Sequence, residues 1–464
     1  MDRMSHSEAV MWTVEKDPSL RSDFVNITIL DRPPDPERLR AKVEHAIDDI
    51  PRLGERVVTP PLRLAPPEWQ TDPTIDLDYH LRRMAVPAPG GQRELLDLAA
   101  LVTSPPLDRS RPLWEFTLVE GLADGRAALL QRIHHTITDG VGGLRLSLSL
   151  VDLERDSPPD DRSVHILRPT PSPVRTSPFD VIGDALRDTV RHDRDLVRSG
   201  LGELMHLVAH PETIPARAGE AVRLAASVRR QVVVTDPSRS PAFAERSLGR
   251  RFEMFTIPLD RAQRAAKALG GTINDLYVTG VAGALGSYHD RLGCPVDELR
   301  MAMPVSTRDR ADTSANRFAP SRTLVPVVPA DPADRFRMVH GRLRAVRDEP
   351  ALDATESLSA ALAVLPTALL VTLTHNQAHT IDFATSNLRG SPVDLYVGGA
   401  RIVASYPMGP RAGCALNMTL LSYCGDLNMG LNLDPTAVTD PAALLECLEE
   451  SFAALLDVDD DTII

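Results

Sequence analysis

Aromatic residues make up only 4% of this 464-residue chain, and cysteine occurs four times. Cys294, Cys414, Cys424 and Cys447 form no C-x-x-C pair and sit in no nucleophile signature. That spacing gives neither a disulfide framework nor a zinc ribbon, and the simplest account is free thiols in a reducing compartment. Lysine is nearly missing: Lys16, Lys42 and Lys267 are the only three among 51 basic residues, a bias of GC-rich coding rather than of function. No G-x-S-x-G elbow occurs, so a serine nucleophile of that kind is not expected. No basic-then-apolar segment opens the chain, and no charge-free run reaches the roughly 20 residues of a membrane helix. The closest approach, Ser357–Thr374, is broken by Pro366 and dotted with Ser and Thr. It reads as a buried or membrane-surface helix pair. The expectation is a cytoplasmic protein that meets a membrane, if at all, from the side. The net charge of −13 argues against a nucleic-acid partner, which needs a basic footprint.

What is present is ordinary globular composition, 43% hydrophobic and 25% charged. A chain this long calls for two domains of roughly 150–220 residues each. Residues 1–155 form the first. Residues 156–251 start with a Pro- and Ser-rich linker, Asp156–Pro178, followed by two amphipathic helical patterns over Phe179–Arg230. Residues 252–464 form the second.

The most informative stretch is Gln131–Gly143, QRIHHTITDGVGG. Ala127–His134 reads as a strand, and Asp124-Gly125 as a hairpin turn after a strand over Glu115–Gly121. Beyond Asp139-Gly140 the pattern becomes helical, so two histidines sit at a strand-to-helix corner, where a rigid backbone can present a side chain to a cleft. Neighbouring side chains on extended backbone point to opposite faces, so His134 and His135 do not chelate one metal, and no metal is expected. An isolated histidine in such a frame is most simply a buried, hydrogen-bonded one. The spacing H-x-x-x-D-G begins at His135, which makes His135 the candidate base and His134 its packing neighbour. Asp139, at the turn, suits an aspartate paired with a buried arginine.

HHTITDG matches the HHxxxDG signature, and the chain resembles the bacterial wax ester synthase/acyl-CoA:diacylglycerol acyltransferase family. The wider superfamily with this motif includes chloramphenicol acetyltransferase, carnitine acyltransferases and peptide-synthetase condensation domains. The narrower resemblance rests on further blocks in order. They are the opening Met4–Phe24, Asp72–Arg83, LDRSRPLWE at Leu107–Glu115 with Pro112, Leu113 and Trp114, and GGTINDLYVTG at Gly270–Gly280 with Asn274 and Asp275. MPVSTR at Met303–Arg308, ANRFAP at Ala315–Pro320, TSNLRGSP at Thr385–Pro392 and Leu416–Asp434 complete the series. Three departures stand out: Glu8 where the family usually has Asp, Leu-Arg-Gly-Ser in place of Val-Pro-Gly-Pro, and Ala315 in place of Gly.

The resemblance implies an α/β fold of two chloramphenicol acetyltransferase-like domains, with mixed sheets, flanking helices and an active-site tunnel between them. It implies an O-acyltransferase that takes a long acyl chain from acyl-CoA, as co-substrate and without a cofactor, to diacylglycerol or a fatty alcohol. Triacylglycerol synthesis is favoured, with peripheral contact to the inner membrane face or lipid inclusions. A different hydroxyl acceptor, or a non-catalytic lipid-inclusion scaffold, are the alternatives. His135 is expected to act as base beside His134. Asp139, supported by Gly140, is expected to pair with Arg308. Asn274 is the first candidate donor to a developing oxyanion and Asp275 a structural neighbour, although Thr272, Asn274 or Asp275 could equally serve as a helix cap. Trp114 with Pro112 and Leu113 either lines the cleft or anchors the core. Ser386 and Asn387 are expected on the donor side of the tunnel. Between Ile214 and Arg251, eight arginines face three acidic residues, either as a solvated surface or as a site for CoA phosphates or lipid headgroups.

Overall fold

The computed structural model describes residues 2–59, 66–137, 146, 149–158, 238–306, 318–328, 331–347, 362 and 365–459. Most of the expected linker and both amphipathic helices of Phe179–Arg230 lie outside these residues, as do Asp139, Gly140 and Arg308.

The strands in chain order are β1 (Asp2–Arg3), β2 (Asp23–Leu30), β3 (Glu55–Val58), β4 (Glu68–Thr71), β5 (Leu81–Ala85), β6 (Trp114–Glu120), β7 (Ala127–His134) and β8 (Arg251–Pro258). They continue with β9 (Glu298–Ser306), β10 (Phe318–Pro326), β11 (Phe383–Arg389), β12 (Tyr396–Val397), β13 (Ala400–Met408), β14 (Leu416–Tyr423) and β15 (Asp426–Leu433). Two six-stranded sheets dominate, ordered β12-β13-β2-β7-β6-β5 and β10-β9-β11-β14-β15-β8. Each is mixed: β5 runs parallel to β6 in the first, and β11 runs parallel to both β9 and β14 in the second. The α/β class with mixed sheets is therefore the observed one.

Strand β7 has the bounds expected from its apolar run, and it is buried along its whole length. Alternation sends Ala127, Leu129 and Ile133 into one core and Ala128 and Leu130 into another on the opposite face. The six-residue connection from β6 to β7, residues 121–126, places Asp124 at φ 60° and Gly125 at φ 71°, so the expected Asp-Gly turn lies inside a longer hairpin loop. The β14–β15 hairpin is the tight two-residue kind, with Cys424 at φ 45° and Gly425 at φ 91° between the paired Tyr423 and Asp426.

The strands of the second sheet all follow residue 250, but the first sheet borrows β12 and β13 from that same stretch. β13 pairs with β2 along Met408 to Ile402, completing the sheet that carries β7. The halves are thus interlocked, and a division at residue 252 does not separate them in space. Gly430 permits the crossing: a Cβ there would stand 2.2 Å from the Pro407 carbonyl oxygen.

The helices are α1 (His6–Val14), α2 (Pro36–Asp49), α3 (Leu77–His80), α4 (Gln92–Thr103), α5 (Leu259–Ala268), α6 (Ile273–Arg291), α7 (Pro332–Arg347), α8 (Thr367–His379) and α9 (Pro441–Leu456). Helix α6 is buried nearly all round, as an apolar helix inside a core must be. Helix α8 starts immediately after Pro366, which cannot continue a preceding helix, so the break expected inside Ser357–Thr374 is where α8 begins. Among the described residues, no helix is long and apolar enough to cross a membrane.

Candidate active site

His134 ends β7 and His135 stands in the turn just beyond it. The His134 backbone N–H donates to the Leu113 carbonyl at 3.0 Å, and the His135 N–H donates to the Ser22 carbonyl at 3.2 Å. The two rings have different fates. His134 is 3% exposed, and both of its nitrogens are engaged. Nδ1 accepts the Thr136 N–H at 3.1 Å and lies 2.7 Å from Thr136 Oγ1, while Nε2 lies 2.8 Å from Glu15 Oε1. A backbone N–H can only donate, so a neutral His134 carries its proton on Nε2 and gives it to Glu15. The His135 ring is half-buried and tilts over Phe24 at a centroid distance of 4.9 Å.

Around this corner lies a buried network of charge. Asp23, opposite His134 in the β2–β7 pairing, accepts from Arg132 Nε at 3.0 Å. Arg250 grips the same carboxylate with both terminal nitrogens at 3.1 Å, and Arg21 adds a contact at 3.4 Å. Burial alone would raise the Asp23 carboxyl, but Arg250, Arg132 and Arg21 outweigh it and hold it well below the usual carboxylate range. Burial likewise opposes ionisation of Glu15, whose contact with His134, the Ser22 N–H and Arg109 together lower its affinity for protons. Arg21 pays for its own burial with a guanidinium brought down to about 10.

Pro112, Leu113 and Trp114 build the floor of the corner. Trp114 is fully buried, donates its indole N–H to the Leu53 carbonyl at 2.8 Å and stacks on His80 at 4.5 Å. This placement supports the core-anchor reading of Trp114 over the cleft-lining one. The surrounding block serves the same frame: Arg109 reaches Glu15, and Glu115 meets Arg132 at 3.4 Å.

In the second half, Thr272 caps α6 and Asp275 answers it three residues later in a reciprocal capping box. Asp275 is buried and also receives His340 Nδ1 at 3.0 Å. Asn274 is thereby released from capping. Its Oδ1 accepts from Asn387 Nδ2 at 3.3 Å, and its own Nδ2 faces the Met303 sulfur at 3.8 Å. The structure thus brings Asn274 and Asn387 together, while Ser386, the preceding residue of β11, points to the opposite face of the strand. Glu8, a departure from the family pattern, is the acidic member of the capping box that opens α1 on Ser5.

Two arginines of the basic stretch turn inward, Arg250 to Asp23 and Arg246 to the Gly413 and Ile381 carbonyls, while Arg251 stays at the surface and pairs with Glu253. Among the described residues, no group of three or more His, Cys, Asp or Glu is placed to hold a metal ion.

Glu15, Ser22, Asp23 and Arg132 were not singled out by the sequence reading. The first three lie inside the Met4–Phe24 block, whose likeness to the family is the one signal that touched them.

The comparisons agree with this architecture. The family model described as the wax ester synthase/diacylglycerol acyltransferase catalytic domain matches residues 4–277, and the WS/DGAT C-terminal domain matches residues 315–456. A candidate diacylglycerol O-acyltransferase of Mycobacterium tuberculosis is 36% identical over 460 residues, covering 98% of this chain and 92% of the relative. Another from the same organism is 31% identical over 484 residues, covering 98% and 97%. Among solved structures, the wax ester synthase/diacylglycerol acyltransferase from Marinobacter aquaeolei VT8 superposes with a TM-score of 0.64 at 22% identity, covering 98% of each chain. The starter condensation domain of rhizomide synthetase, in complex with C8-CoA and Leu-SNAC, superposes at 0.59 with 12% identity, covering 99% of this chain and 94% of that one. Sequence blocks, fold and family models converge, and the chain belongs to the wax ester synthase/diacylglycerol acyltransferase family.

Proposed function

We propose that this protein transfers a long-chain acyl group from acyl-CoA to the hydroxyl of diacylglycerol, of a fatty alcohol, or of both, through a ternary complex with His135 as general base. The observation that carries this reading is the unequal treatment of the two histidines. Both His134 nitrogens are spent on Glu15 and Thr136 in the interior, and His135 is carried just past the strand end, half-buried, with its backbone N–H tied to the Ser22 carbonyl. Neutral His135 takes the proton of the acceptor hydroxyl as that oxygen attacks the thioester carbonyl. The imidazolium then protonates the departing CoA thiolate, which closes the cycle. The new C–O bond forms first, leaving the negative charge on the carbonyl oxygen of a tetrahedral adduct, and collapse of that adduct breaks the C–S bond, without an acyl-enzyme. The buried Cys414 thiol, pushed up to about 11 by desolvation, is a poor nucleophile, in keeping with that route.

Asn274 is the proposed donor to the oxyanion. Among the described residues its amide N–H faces the soft thioether of Met303, and a carbonyl oxygen gaining negative charge is a far better acceptor than sulfur. Asn387 holds the other end of that amide. Asp139, Gly140 and Arg308 are proposed to complete the corner by a buried pair. The site is proposed to open into a tunnel between the two sheets, with Ser386 and Asn387 on its donor side. The names of the mycobacterial relatives support diacylglycerol as acceptor. The C8-CoA complex of the rhizomide synthetase domain supports a CoA thioester as donor, used as co-substrate with no further cofactor. Peripheral contact with a membrane or lipid inclusion suits both apolar substrates.

The test uses purified protein and labelled palmitoyl-CoA, with dioleoylglycerol in one reaction and hexadecanol in another. Wild type and His135→Ala run side by side. Ester that depends on His135 is the expected product, and the reaction in which it forms names the acceptor. Ester formed equally by folded His135→Ala would remove His135 from the mechanism.

A further inference from the structure

Glu15 is the residue at which helix α1 ends, and its carboxylate touches the histidine corner in three ways. Oε1 receives His134 Nε2 at 2.8 Å and the Ser22 N–H at 2.6 Å, and Oε2 receives Arg109 at 3.0 Å. Ser22 then passes the restraint on, because its carbonyl accepts the His135 N–H at 3.2 Å. Arg109 is itself fixed to α1: its guanidinium lies 3.9 Å over the Trp12 ring and donates to the Trp12 carbonyl at 3.1 Å. The countercharge, brought in by the loop before β6, is therefore packed onto the helix that ends at the carboxylate.

From these contacts we propose that Glu15 is a positioning residue for acyl transfer, holding both histidines of the corner through one carboxylate. The proposal rests on the reading of His135 as base. His134 is clamped by its side chain and His135 by its backbone, and no residue intervenes between them. Any swing of the His134 ring or slip of the Ser22 segment is transmitted to the Cα of the base. An ionised carboxylate suits this task because it is purely an acceptor, and His134, Ser22 and Arg109 each present a donor. Withdrawing a carboxylate from water is costly, and an apolar side chain could fill the same space more cheaply. What the apolar side chain cannot do is accept three donors at fixed angles. Reach matters more than charge here: aspartate is one methylene too short to meet His134 and Ser22 together. Glutamine keeps the full length and an oxygen for both, though it turns an N–H₂ toward Arg109.

The experiment measures kcat and KM for palmitoyl-CoA, with the acceptor that wild type esterifies. Wild type is compared with Glu15→Gln, Glu15→Asp, Glu15→Ala, Arg109→Met and His135→Ala, each with its melting temperature. Misplacing a catalytic group by an ångström costs on the order of 100-fold in rate, so Glu15→Asp and Glu15→Ala are expected to lose about 10- to 100-fold in kcat. KM should stay near the wild-type value. Glu15→Gln should recover much of the loss. Arg109→Met, a change at a half-exposed side chain, should lose a few-fold in kcat while melting like wild type. If Glu15→Ala does not fold, the Asp, Gln and Arg109 variants decide.

Wild-type kcat in Glu15→Asp and Arg109→Met would overturn the proposal. So would a loss confined to KM, kcat losses that simply track melting temperature, or Glu15→Asp outperforming Glu15→Gln. His135→Ala separates the two readings. If it retains full activity, the base assignment falls. If it is inactive while the Glu15 and Arg109 variants match wild type, only the role of Glu15 falls.

Discussion

At the end of β7, Asp23, Glu15 and Glu115 are packed with Arg21, Arg132 and Arg250 beneath the surface, and the half-exposed Arg109 closes over Glu15. At the start of α6, the groups around Asn274 are an amide and a thioether, and the nearby Asp275 is already consumed by the helix cap and His340. A base that alternates between neutral and charged forms needs surroundings whose own charges are settled before substrate arrives. An oxyanion donor needs a fixed dipole that is poorly satisfied until negative charge develops. The first requirement calls for buried, mutually cancelling ions, and the second for neutral side chains held from behind.

The sharpest way to break this contrast is at the two histidines. His135→Ala should lose about 10²- to 10⁴-fold in rate while melting normally. His134→Ala should lower the melting temperature, because it removes one of the three donors to Glu15 and leaves Thr136 without its ring partner, and its rate loss should be smaller than that of His135→Ala. Equal rate losses with normal melting in both would erase the division between them. Next in size, Asp23→Ala should destabilise the fold by about 3–5 kcal/mol in urea unfolding, since it leaves Arg132 and Arg250 buried against one another. A loss below about 1 kcal/mol would mean the network is worth no more than a surface ion pair. On the other side of the comparison, Asn274→Ala should cost on the order of 100-fold in kcat at nearly unchanged stability. Its neighbour Thr272→Ala should do the reverse, costing about 1 kcal/mol of stability and little rate.

Acid titration is the mildest probe. The Asp23 and Glu15 carboxyls bind protons more weakly in the folded chain than their ordinary values of 3.8 and 4.5. Their stabilising contribution is therefore complete above those values and disappears as pH falls below them. Wild-type stability should decline from about pH 5 downward, and Asp23→Asn should flatten that limb. An unchanged acid limb in Asp23→Asn would place the titrating groups elsewhere.

Much of the corner was legible in advance because its signals are local. The apolar run Ala127–His134 and the Asp124-Gly125 turn specify a strand and its hairpin through nearest-neighbour geometry. The different surroundings of His134 and His135 follow from one residue ending the buried strand and the next starting the turn beyond it. The capping box on Thr272 belongs to the same class, although the sequence left three residues competing for that role and only the coordinates released Asn274. Glu15 and Asp23 were invisible for the opposite reason. Each meets its partner more than a hundred residues away, and a lone acidic residue near an apolar helix carries no local mark of burial. Trp114 was ambiguous because an aromatic ring suits a core and a cleft equally well, and only its packing on His80 distinguishes them.

The sequence by itself determined the class of the protein, the order of its motif blocks, the strand that carries the histidines and the turn that starts it. Those features depend on residue type and short spacing, which a linear chain states directly. The tertiary structure decided which acidic groups fasten the corner, which of three residues cap α6, and that β12 and β13 leave the second half to complete the first sheet. Those outcomes depend on which distant surfaces exclude water together, and burial is a property of the assembled chain rather than of any segment of it.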